Sequence, residues 1–108
     1  MIKVTNETHT IYITGEIGEG WFSEGYTIDK FLEDIKTLEN QPLTVLISST
    51  GGDLGHALAI YDLLRARKEP VTTEIVGATA SAASVIAMAG SVRKMHKNAM
   101  LLIHNAMT

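Results

Sequence analysis

Two side chains in this chain have the types and setting for hydrolytic chemistry: Ser81, within Gly77–Gly90 (GATASAASVIAMAG), and His104, at the end of the apolar run Met100–Ile103. A serine hydroxyl is a weak nucleophile until an adjacent imidazole takes its proton. A third element, Gly51–Gly52 in SSTGGDLG, carries backbone amides that a substrate can approach closely, as stabilising an oxyanion requires. Each has a plainer reading. Ser81 is a small packing residue in an alanine-rich helix, His104 a satisfied structural histidine, and Gly-Gly a turn device. Ala80-Ser81-Ala82 lacks the glycines of a G-x-S-x-G elbow. Ser84, one turn on, is expected to bond the preceding turn of backbone rather than act as nucleophile. The segment around Asp53 lacks the lysine of a phosphate loop, so Asp53 reads as a helix N-cap. His9 and His56 read as solvated, His96 has a weaker case than His104, and no histidine pair has zinc-site spacing.

The elements that must position these groups alternate between strand and helix. Ile2–Val4 and Thr10–Thr14 read as short strands, the second placing Ile11 and Ile13 against Tyr12 and Thr14. Ile28, Phe31, Leu32, Ile35 and Leu38 form one helical stripe, with Thr27 as its N-cap. Leu43–Ile47 reads as a strand covered on both faces, followed by a polar turn over Ser48–Asp53 and a helix marked by Leu54, Ala57, Leu58, Tyr61 and Leu64. Val71–Val76 is the next strand. Gly77–Gly90 is predicted to be a short buried helix, apolar on every face, with Gly77 at its tight entrance and Gly90 closing it in a left-handed conformation. Ser81 falls in its first turn, beside the positive end of the helix dipole. Ala99–Ile103 is a further apolar strand. The alternation implies right-handed crossovers and a largely parallel α/β sheet, whose carboxyl strand ends bring Gly51, Ser81 and His104 to one crevice.

At 108 residues with 45% apolar content, residues 1–108 read as a single domain with a real core. The formal net charge of -3 and the absence of a long basic run argue against nucleic-acid binding. Without cysteine there is neither a disulfide framework nor a thiolate metal site. The 14-residue apolar stretch is too short to span a bilayer, and the first residues do not resemble a signal peptide. A cytoplasmic setting is the expectation.

In order along the chain, IYITGEI, VLISSTGGDLGHALAIYDLL, GATASAASVIAMAG and NAMLLIHN resemble the Clp-type (ClpP-like) serine peptidases, whose fold is the superhelix of repeated β-β-α units shared with the crotonases. The resemblance implies Ser81 as nucleophile, His104 as general base, and the Gly51 and Ala82 amides as the oxyanion hole. It implies no metal and no organic cofactor, a polypeptide substrate, and a ring of six or seven subunits in a bacterial or phage-infected cell. The flavour of ASAASVIAMAG and LLIHNAMT is closest to phage and prophage head-maturation peptidases, so capsid proteins join an AAA+ unfoldase as expected partners. Thr50, where a proline is usual, and Ala82, where a methionine is usual, depart from the housekeeping subunits, as does a very short amino-terminal segment.

The triad acid of that family lies beyond the histidine, so it is expected to be absent from this chain, with a carboxyl-terminal portion missing and weak activity without it. Neither Asp53 nor Asp62 is assigned the role. Two other readings are a crotonase-type acyl-CoA enzyme, which needs acidic side chains in the cleft, and a non-catalytic oligomeric scaffold. A Ser-Lys dyad through Lys94 or Lys97 is a smaller alternative.

Overall fold

A computed structural model describes residues 9–19 and 25–102. The predicted strand at Ile2–Val4 lies outside them. In chain order the elements are β1 (Thr10–Ile17), α1 (Ile28–Ile35), β2 (Leu43–Gly52), α2 (Leu54–Arg65), β3 (Val71–Ile75), β4 (Ala78–Ala80), α3 (Ala82–Ala87), β5 (Val92–Met95) and β6 (Met100–Leu102). Four strands form a parallel sheet in the order β1-β2-β3-β5, and β4 pairs with β6, also in parallel, in a second sheet. Successive units thus give one strand to each sheet: β3 and β5 to the first, β4 and β6 to the second. This is the repeated β-β-α superhelical arrangement, and parallel pairing with helical crossovers follows from the strand–helix alternation of the sequence.

The two caps anticipated from sequence are present. The Thr27 side chain accepts the Lys30 N–H at 3.2 Å, and Asp53 Oδ1 accepts the His56 N–H at 3.1 Å. The core gathers Ile11, Ile13, Val45, Ile47, Phe31, Ile60 and Ile86, all fully buried. β2 differs from expectation: Leu43, Val45 and Ile47 are buried, whereas Thr44, Leu46 and Ser48 are only half-buried. Alternation along a strand puts these two sets on opposite faces, so one face carries the core and the other is partly covered among the described residues.

Three further expectations are corrected, and one strand is new. Gly77–Gly90 is not one helix; Ala78–Ala80 pairs with Met100–Leu102, and helix begins only at Ala82. Alanine favours helix intrinsically, but a pairing partner two strands further along the chain overrides that preference. Gly90 does not close the helix in a left-handed conformation, being absent from the positive-φ glycines. It is small because a Cβ there would lie 2.8 Å from Thr73 N and 2.7 Å from Val92 O. Gly51 and Gly52 are strand residues, not a free turn, because β2 runs on to pair Gly51 with Glu16 and Gly52 with Ile17. Last, β5 has no counterpart in the sequence reading. All four of its residues are exposed, and two are charged, as suits a sheet edge.

Two histidines are less solvated than expected. His56 Nδ1 accepts the Ile28 N–H at 3.0 Å, tying the start of α1 to α2. His9 takes a positive φ of 47°, and its Nδ1 is buried without a partner among the described residues.

Thr73 is fully buried and donates from Oγ1 to Ala87 O at 2.7 Å, holding the end of α3 on β3. Gly90→Ala would drive a methyl into this backbone, and a loss of about 1–3 kcal/mol in unfolding free energy is expected by urea titration. Tyr26, 2% exposed, donates its hydroxyl to Asp34 Oδ2 at 2.6 Å. Burial, then the bond to Asp34 and its charge, push the Tyr26 hydroxyl far above its ordinary range. The folded protein therefore keeps Tyr26 neutral while the unfolded chain ionises near its ordinary value of about 10. The stability it contributes is complete below that pH and falls as pH rises above it. Urea midpoints taken from about pH 9 to about pH 11 should fall more steeply for the wild type than for Tyr26→Phe.

Candidate active site

Ser81 joins β4 to α3 at a sharp corner. Its backbone is at φ 56°, ψ -128°, outside the regions that suit a residue with a side chain. Such a conformation costs of the order of 1–3 kcal/mol and persists only where the surroundings enforce it. Here both peptide groups are tied: Ser81 N–H donates to Leu102 O at 3.1 Å, and Ser81 O accepts Ser84 N–H at 2.9 Å. Ser84 Oγ also donates to Ser81 O, at 2.5 Å, which places Ser84 in the backbone-bonding role anticipated for it. The Ser81 hydroxyl makes no capping bond to its own helix. Ser81 itself is half-buried while Ala82, Ala83 and Ser84 behind it are buried. The result has the form of a nucleophile elbow, strand then strained serine then helix, without the elbow's glycines.

The missing glycine is supplied from the neighbouring strand. Gly51, at φ 105°, lies against this corner: a Cβ there would be 2.8 Å from Ala80 O, 2.9 Å from Ser81 Cβ and 3.2 Å from Ala82 N. Any side chain at Gly51 would strike the candidate nucleophile. The tail of β2 gets there through an irregularity in its pairing with β1. Thr14 faces Ser48 and Glu16 faces Gly51, so Ser49 and Thr50 together oppose Gly15 alone, as at a β-bulge.

The Gly51 amide is not vacant. It donates to Ser49 Oγ at 3.1 Å, and Ser49 Oγ in turn donates to Gly15 O at 2.5 Å. The next amide but one, Asp53 N–H, donates to Ile17 O at 2.9 Å, also on the β1 side. Alternation of amide directions along a strand turns the intervening Gly52 N–H to the other edge, away from β1. Reasoning from sequence singled out Gly51 and Ala82 as amide donors and had no signal for Ser49 or for the orientation of Gly52, because neither the bulge nor its bridging hydroxyl can be read from residue types.

His104 lies outside the described residues. β6 runs beside β4 in the register Ala78 with Met100, Thr79 with Leu101 and Ala80 with Leu102, so the chain reaches Ser81 at Leu102, two positions before His104. Lys94 lies in register with Glu74 in the first sheet, and Lys97 stands exposed ahead of β6. His96 Nε2 is paired with Glu74 Oε2 at 3.0 Å on the surface. Asp53 is engaged as a cap and Asp62 is exposed on α2. Among the described residues no cluster of histidine, aspartate and glutamate has the makings of a metal site, and no helix is long and apolar enough to cross a membrane.

Comparison with known proteins bears on the family and the fold. The family model for Clp protease matches residues 2–108. The proteolytic subunit 2 of the ATP-dependent Clp protease from Treponema denticola is 32% identical over 107 residues, which cover 94% of this chain and 50% of that protein. Subunit 1 from Rhodococcus jostii is 38% identical over 71 residues, 64% of this chain and 32% of its own length. Among solved structures, a ClpP1 variant from Listeria monocytogenes superposes with a TM-score of 0.78 at 26% identity, covering 93% of this chain and 58% of that one. The ClpP catalytic domain from Plasmodium falciparum gives a TM-score of 0.73 at 29% identity, over 92% of this chain and 55% of that one. The chain spans about half the length of the curated relatives it matches. With sequence, family model and fold in agreement, this chain belongs to the Clp protease family.

Proposed function

We propose that this chain carries the nucleophile and oxyanion elements of a serine endopeptidase of the Clp class. The observation that carries the reading is Ser81, held in a strained strand-to-helix corner with its neighbouring amide, Ala82 N–H, next to the Gly51 backbone. In this reading Ser81 Oγ attacks the peptide carbonyl while His104 takes its proton and returns it to the leaving amine. The oxyanion that forms is met by Ala82 N–H and by the glycine pair of β2. Gly51 supplies an amide only by sharing it with Ser49 Oγ; the Gly52 amide, turned from β1, is the better oriented of the two. The third member of the triad is an acid outside these residues. No metal or organic cofactor takes part in this scheme.

The substrate is a polypeptide. The resemblance of ASAASVIAMAG and LLIHNAMT to phage and prophage peptidases supports a phage or prophage setting, with capsid proteins as substrates in a cytoplasmic compartment and a homo-oligomeric ring as the working assembly. An AAA+ unfoldase is a further partner of this class. The competing scaffold reading keeps the fold without the chemistry, and the strained backbone of Ser81, whose hydroxyl makes no capping bond, favours an enzyme over it.

Two variants test the reading on the intact protein. Ser81→Ala should lower cleavage of a fluorogenic peptide by about a thousandfold or more. Retention of activity by Ser81→Ala would reject Ser81 as nucleophile, and a wild type without activity or probe labelling would favour the scaffold. Gly51→Ala, which sets a methyl against Ser81 Cβ in an unfavourable backbone region, should cut kcat by about a hundredfold, the scale of one lost oxyanion contact. Steady-state kinetics on variants with wild-type circular dichroism would check both.

A further inference from the structure

The bulge in β2 leaves two backbone groups without their ladder partners, the buried Gly51 N–H and the O of exposed Gly15. One hydroxyl serves both. Ser49, 2% exposed, accepts from Gly51 N–H at 3.1 Å and donates to Gly15 O at 2.5 Å. A buried amide without a partner is costly and would turn to find one, and the acceptor on the other side of the strand is Ala80 O, which lies against Gly51 beside Ser81 Cβ and Ala82 N. Gly51 and Gly52, both at positive φ, have the rotational freedom to make that turn. Ser49 removes it.

We propose that Ser49 is a positioning residue of this site: its hydroxyl bridges the bulge and pins the Gly51 amide toward β1, so that the following Gly52 amide faces Ser81. The inference rests on the reading of Ser81 as nucleophile. It adds a residue that touches neither substrate nor reacting atoms and that acts through the direction of two peptide groups. A hydroxyl is needed because the bridge requires one acceptor and one donor on a single short side chain, which alanine lacks and cysteine supplies weakly. The geometry also accounts for a buried serine at a strand position flanked by the apolar run Leu43–Ile47.

The test compares wild type, Ser49→Ala and Ser49→Cys in the intact protein. It uses the rate of Ser81 labelling by a fluorophosphonate, kcat and KM on a peptide, and hydrogen exchange at the Gly51 amide. Ser49→Ala is expected to slow labelling and lower kcat by about tenfold to a hundredfold, with KM changed less than about twofold and Gly51 exchange accelerated; Ser49→Cys should fall between. Wild-type labelling and kcat in a folded Ser49→Ala protein would overturn the proposal, as would a rise in KM with kcat unchanged. Should Ser49→Ala not fold, Ser49→Cys decides alone on the same criteria. A wild type whose Ser81 does not label at all would instead overturn the peptidase reading and this proposal with it, whereas failure of the proposal alone leaves wild-type labelling intact.

Discussion

The structure turns on the backbone of one residue. Ser81 occupies φ 56°, ψ -128°, and a residue with a side chain does not rest there unless its surroundings hold it. Two hydrogen bonds hold it: Ser81 N–H to Leu102 O from β6, and Ser84 N–H back to Ser81 O from within α3. The first needs the β4–β6 pairing, the second needs α3 to begin at once, and α3 in turn is fixed by Thr73 Oγ1 on Ala87 O. Removing any of these would relax the corner and withdraw the hydroxyl.

The second requirement is room. A corner of this kind usually carries glycines beside the nucleophile, and this chain has Ala80 and Ala82 instead. Space comes from across the sheet boundary. β2 pairs with β3 as far as Ile47, where Val76 N–H donates to Ile47 O, and then continues alone with β1 to Gly52. That overhang delivers a glycine, not a side chain, to Ser81. The long β2 strand is therefore both a core element, through Leu43, Val45 and Ile47, and one wall of the site, through Gly51.

Much of this was legible from residue types. The α1 helix with buried Phe31, the Thr27 and Asp53 caps, the β2 strand and the approach of Gly51 to Ser81 follow from local spacing and capping chemistry, although Leu32 of the predicted α1 stripe is exposed and Leu38 lies beyond the helix. The features that were not legible are those decided by distant pairing. Ala78–Ala80 looks helical by composition and is a strand because β6 lies beside it. β5, carrying Arg93 and Lys94 between exposed Val92 and Met95, has no alternation to betray an edge strand. Ser49 looks like one more polar turn residue, and only the bulge opposite Gly15 gives its hydroxyl two partners. The family resemblance singles out Ser81 across this gap without requiring the secondary structure to be read correctly, and the strained corner is what the structure adds.

The most direct measurement is a crystal structure of the intact protein after reaction with a small fluorophosphonate, which mimics the tetrahedral intermediate at the serine. The account predicts phosphorus bonded to Ser81 Oγ, with the phosphoryl oxygen about 2.7–3.1 Å from Ala82 N–H and from an amide of the glycine pair, and His104 beside the adduct. An adduct on another residue, or a phosphoryl oxygen directed into solvent away from both amides, would contradict it.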